Sequence, residues 1–126
     1  MKLLTFAILA CVGGAVHAAP VSFQTDIVPI LKTRCAACHM TGQEAGKLAL
    51  TPAKAYGSLV DARALDPKFV HVRPGKPDES YLMMKLEGTH LKAGGAGMRM
   101  PMGMPPLDAG VLTKFRTWIA EGAKAQ

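Results

Sequence analysis

Cys35-Ala36-Ala37-Cys38-His39 constrains this chain more than any other stretch. On one helical turn, cysteines three apart lie on the same face. The adjacent histidine then projects beside both sulfurs. Three chemistries use such a pair: a redox disulfide, half of a zinc site, and covalent attachment of a haem. A zinc site calls for a second ligand pair at close spacing. Here Cys11 is the only other cysteine, and His17, His71 and His90 are scattered. A thioredoxin-like motif belongs in a βαβ pattern, which is absent from the sequence. Haem attachment uses every residue of the motif. Cys35 and Cys38 form thioethers with the two vinyl groups, and neutral His39 ligates the iron from the proximal side.

The chain opens with Met1-Lys2, an apolar run from Leu3 to Ala10, and small residues leading to Ala18-Ala19-Pro20. This reads as a secretory signal peptide over residues 1–18, with cleavage after Ala18, or after Ala19 as second choice. The apolar run is too short for a membrane span, which needs ~20 residues. No later stretch reads as a span. Cys11 leaves with the leader on this reading. The alternative is a lipoprotein, with Ile8-Leu9-Ala10-Cys11 as the lipidation box. Of the 126 residues, those after the leader suffice for one domain, placed over residues 23–124. The formal net charge is +6, and Lys2 departs with the leader. The remaining Lys and Arg are spread from Lys32 to Lys124 without a cluster, so a solvated basic surface is expected and nucleic acid is not.

Phe23, Ile27, Ile30 and Leu31 form an apolar helical stripe. Asp26 reads as the N-cap, which leaves Pro29 in the first turn, where its missing N–H costs nothing. A helix from about residue 27 then carries the cysteine motif at its C-terminal end. Leu48 and Leu50 suggest a short extended piece. Thr51-Pro52 starts a helix over about 52–60. Residues 61–71 read as irregular, and 72–77 as a rigid Pro-Gly turn. The next helix has Asp78 and Glu79 in its first turn, Leu82, Met83 and Leu86 on its apolar face, and Gly88 as its stop. Residues 89–107 have no period. The last helix has Asp108 as N-cap, a Leu107–Leu112 staple, and a stripe of Val111, Leu112, Phe115, Trp118 and Ile119. Phe115 and Trp118 read as core rather than as a docking surface.

The order of these pieces resembles the class I c-type cytochromes, and more narrowly the small bacterial mono-haem domains. The likeness rests on Phe23…Ile27-x-Pro29-Ile30-Leu31…Cys35-x-x-Cys38-His39 and on Val72-x-Pro74-Gly75-x-Pro77…Ser80-x-Leu82. It continues in Met100-Pro101-x-Gly103-x-Pro105-Pro106-Leu107 and Trp118-Ile119-x-x-Gly122-Ala123. The resemblance implies an all-α, cytochrome c-like fold of about four short helices around one covalent haem c. It implies a methionine as the distal iron ligand. Met98, Met100, Met102 and Met104 alternate in one loop. Proline confines the residue before it to extended conformations, which favours Met100 and Met104. The family frame then selects Met100. Lone histidines off any motif read as surface or structural residues, so His71 and His90 are not assigned to the iron. Tyr56, Trp118 and Arg73 are candidate partners for the haem propionates.

The function implied is single-electron transfer by an exported, periplasmic protein that is not itself an enzyme. Its partners would be redox proteins, with a membrane-bound oxidoreductase complex as a further candidate. The alternative is a haem-based sensor or small haem catalyst with an open distal site.

Overall fold

The amino-terminal helix begins earlier than Pro29 suggests. The computed structural model describes residues 18–126. The predicted leader falls outside these residues except for Ala18, and Cys11 and His17 lie outside them too. Ser22, not Asp26, is the N-cap. Its hydroxyl accepts the Thr25 N–H at 3.3 Å, and the Asp26 carboxylate accepts the Ser22 N–H at 3.0 Å. This is a reciprocal cap in the manner of a capping box, one residue longer. A π-helical turn, Phe23–Ile27, then runs into α1, Val28–Arg34. Pro29 accounts for the wide turn. It has no N–H, and its ring presses on the carbonyl four residues back. The Val28 N–H donates five residues back, to Phe23, which makes room.

The first and last helical segments of the described residues pack together. α4, Ala109–Ala120, starts as predicted, with the Asp108 carboxylate accepting the Val111 N–H at 2.9 Å. Phe115, Trp118 and Ile119 are buried with Phe23 and Ile27 in one core. The Phe23 ring lies 5.1 Å from Trp118 and 5.3 Å, edge-on, from Tyr56. Each large apolar side chain buried this way contributes ~1.5–3 kcal/mol. Lys114 reaches Asp26 at 3.2 Å across the same junction. The Ser22 N–H first, and Lys114 second, hold the Asp26 carboxyl below its ordinary pKa.

The C-terminal tail closes this junction. Gln126, Ala123 and Lys124 offer carbonyls to the Phe23 N–H, the Tyr56 hydroxyl and the Trp118 indole N–H at 2.8, 3.0 and 2.9 Å. Tyr56 and Trp118 are therefore engaged by the tail.

α2, Ala55–Leu59, is a turn shorter than predicted. The Thr51 carbonyl accepts from Lys54 and Ala55 in a turn that precedes it, and Gly57 inside the helix weakens its propensity. Residues 61–72 double back on themselves through isolated bridges, Val60 with Val72 and Arg63 with Val70. No strand forms among the described residues, and the fold class is all-α.

Asp78 and Glu79 do not open the third helix. They sit in a separate 3₁₀ turn, Pro77–Glu79, and the backbone breaks at Ser80 before α3, Tyr81–Glu87. Buried Ser80 explains the break. Its hydroxyl donates to the Lys76 carbonyl at 2.8 Å and accepts the Arg73 N–H at 2.9 Å, which ties down the Pro-Gly segment. Leu82, Met83 and Leu86 are buried, and Gly88 ends α3 at φ +77, as predicted. Arg116 of α4 bridges to Glu87 at 2.7 Å and Asp78 at 2.8 Å, joining α4 to α3.

Candidate functional site

α1 stops at Arg34, so the cysteine motif lies in the turn beyond the helix rather than within it. The turn keeps the spacing that the motif needs. The Leu31 carbonyl accepts from both Cys35 and Ala36, and the Cys35 carbonyl accepts from Cys38 and His39 at 3.2 and 3.1 Å. Cys35 is half-buried against the core, Cys38 is exposed, and both thiols are free. Burial pushes the Cys35 thiol pKa up to about 11, against the opposing charge of Arg34.

His39 is held by its neighbours. Its carbonyl accepts the Leu50 N–H at 2.7 Å, which brings buried, extended 48–50 alongside the motif turn. Its ring passes Gly46, where a Cβ would stand 3.6 Å from Cε1. Glu44 closes the intervening loop by accepting the N–H groups of Thr41 and Gly42 at 3.0 and 2.9 Å. Burial lowers the His39 pKa, with Glu44 opposing, which favours the neutral imidazole, the form able to bind a metal. Its Nδ1 is buried with no hydrogen-bond partner.

Another wall comes from α3 and the methionine loop. The Met100 N–H donates to the Lys85 carbonyl at 3.0 Å, and the Met100 side chain packs partly buried against the core. Met98, Met102 and Met104 are 61%, 58% and 43% exposed. All four methionines border one pocket of about 560 Å³ that is also lined by Cys35, Cys38, His39, Leu48, Leu50, Leu82 and Leu86. That volume is in the range of small-molecule and cofactor sites.

The predicted residues Cys35, Cys38, His39 and Met100 thus meet at one apolar cavity. Met104 reaches the same cavity from a more exposed position. His90 is buried and lies outside the pocket lining, with Nε2 2.8 Å from the Gly97 carbonyl and Nδ1 without a partner. His71, by contrast, is 9% exposed and lines the pocket. The Ala62 carbonyl accepts its N–H at 2.8 Å, and its own carbonyl accepts the Leu82 N–H at 2.9 Å. Burial lowers its pKa, and the nearby His39 adds to this. The one sequence signal for this placement is its position between Val70 and Val72, both buried.

The site suits a haem on several counts. It is apolar, it carries two thiols one turn apart, and it offers an imidazole kept neutral by burial and a soft thioether. Among the described residues, no group of three or more His, Cys, Asp or Glu side chains gathers as a metal site. No helix of the described residues is long and apolar enough to cross a membrane. Comparison with protein-family models, curated proteins and solved structures returned no match in any of the three.

Proposed function

We propose that this chain is an exported, periplasmic c-type cytochrome of the class I kind, with a cytochrome c-like fold and one covalent haem c that carries single electrons. The observation that carries this reading is the meeting of the Cys35–Cys38–His39 turn and Met100 at one apolar pocket. When bound there, haem supplies a one-electron Fe(III)/Fe(II) couple. Cys35 and Cys38 tether it. His39 offers an imidazole that burial keeps neutral. Met100 offers a thioether on a backbone fastened to α3. Leu48, Leu50, Leu82 and Leu86 give the cavity an apolar wall.

A thiol oxidoreductase fits the site less well. Its attacking cysteine needs a lowered pKa, whereas burial drives the Cys35 thiol the other way. If His39 and Met100 both held the iron of a bound haem, no position would be left for a substrate, and the domain would not be an enzyme by itself. Its partners are redox proteins, and a membrane-bound oxidoreductase complex is the kind of assembly it would serve.

The absorption spectrum of protein expressed with haem-maturation machinery tests this. A low-spin, six-coordinate haem is expected. A high-spin, five-coordinate haem would replace the electron carrier with a sensor or small catalyst. Protein without haem would return Cys35 and Cys38 to thiol chemistry.

A further inference from the structure

Residues 91–98 lead into Met100, and none of them is buried. Gly94, Gly95 and Gly97 make the stretch pliant, and its large apolar side chains, Leu91 and Met98, are 62% and 61% exposed. No apolar packing holds such a segment down. Ala96 and Gly97 nevertheless line the pocket. A weak thioether donor needs a backbone that keeps it in one place, and that support has to come from neighbouring residues.

His90 stands at the head of this stretch and is 2% exposed. Its N–H donates to the Met84 carbonyl at 3.2 Å, which ties it to α3. Its own carbonyl accepts the Ala93 and Gly95 N–H groups at 3.2 and 2.8 Å, which closes a turn over residues 90–95. Glycine is required at 95, because a Cβ there would stand 2.9 Å from the His90 carbonyl oxygen. The ring reaches past this turn, with Nε2 2.8 Å from the Gly97 carbonyl. A carbonyl only accepts, so Nε2 carries the proton. Nδ1 is buried without a partner. The neutral ring thus spends its single N–H on the loop that leads to Met100. The lysine ties on the same loop, Lys68 to Gly94 at 2.8 Å and Lys85 to Ala96 at 3.0 Å, are solvent-exposed. Water replaces an exposed donor at little cost, whereas a buried donor and its acceptor are costly to part.

We propose that His90 is a positioning residue for Met100: by gripping Gly97 it holds the methionine loop to α3 and keeps the thioether on the iron. His90 itself lies outside the pocket lining and acts through the backbone. The inference rests on the haem reading above and adds a residue role to it.

Haem-loaded His90→Leu and His90→Gln variants test it by titration with imidazole and by the weak Met-to-iron charge-transfer band of the ferric protein. Imidazole competes with the methionine for the iron, so its apparent affinity rises as the methionine spends more time off the metal. Loss of one such hydrogen bond predicts roughly 3- to 10-fold tighter imidazole binding in His90→Leu, with a weaker band. His90→Gln, whose amide reaches about as far as Nε2, is expected to stay near wild type on both. Tyr56→Phe is the control. It also loses a hydrogen bond to a backbone carbonyl, that of Ala123, but outside the pocket lining. It should leave imidazole binding unchanged. Unchanged binding in His90→Leu would overturn the proposal. So would an equal rise in Tyr56→Phe, which would make the effect a general softening of the fold. Should His90→Leu not load haem, His90→Gln and the shorter His90→Asn carry the same comparison, and equal imidazole affinity of the two would overturn the proposal. A wild-type protein without haem, or a Met100→Ala variant that keeps the band, would instead remove the reading beneath it.

Discussion

His39→Ala is expected to keep haem colour but lose the low-spin spectrum and most of its folding stability. Thioethers at Cys35 and Cys38 would not depend on the imidazole, so a bound haem would stay tethered while its iron lost the proximal ligand. The stability loss follows from what His39 holds in place. Its half-buried ring lies beside Gly46, in the loop that leads to Leu48, Ala49 and Leu50. Leu48, Ala49 and Leu50 are buried only while that stretch stays docked. Loss of a metal anchor is one of the few single changes that costs more than about 4 kcal/mol. For a domain of this size that is roughly 16–32 °C in Tm. Thermal unfolding followed in the haem band reads both effects. An unchanged spectrum would show that another residue binds the iron, with buried His71 the first to test.

Met100→Ala is expected to abolish the weak Met-to-iron charge-transfer band of the ferric protein and to lower its reduction potential. Met104→Ala is expected to leave the band in place. Both side chains border the pocket, but they are held differently. Met100 packs against the core, and its N–H is bonded to Lys85 in the last turn of α3. Met104 is 43% exposed and lies in a turn closed by a long, 3.4 Å hydrogen bond to the Pro101 carbonyl. A thioether is a weak donor, and a stiff backbone holds it on the metal better than a solvated one. If the two variants exchange roles, the Met-Pro frame is misaligned and Met104 is the ligand. If neither changes the band, the distal site is open or held by a histidine, and a sensor or catalyst displaces the electron carrier.

Local chemistry was legible in the sequence and long-range pairing was not. α4 was readable from Asp108 and its apolar stripe, and the buried face and Gly88 stop of α3 were readable too, because caps and periodicity act within a few residues. The N-terminal start was misplaced because Pro29 is a loud local signal. The Ser22–Asp26 cap and the π-helical turn that absorbs the proline are quieter. The 3₁₀ turn before α3 was missed because Ser80 is defined by its hydrogen bonds to Arg73 and Lys76. The engagement of Tyr56 and Trp118 had no sequence signal at all, since their partners are backbone carbonyls of the tail. His71 was passed over for the same reason. Its direction is set by how residues 61–72 fold back and meet Leu82, and no period in the sequence carries that. At the site, the spacing of Cys35, Cys38 and His39 was legible, but the end of α1 before the motif was not, and the packing of Met100 and its contact with Lys85 had no sequence signal.

The most direct measurement of the central claim is whether colour stays with the polypeptide when protein made with haem-maturation machinery is denatured and extracted with acidified acetone. The account predicts that it does, that the chain carries the mass of one haem, and that Cys35→Ala or Cys38→Ala leaves at most one thioether. A wild-type polypeptide that comes out of the extraction colourless, at its unmodified mass, would contradict it.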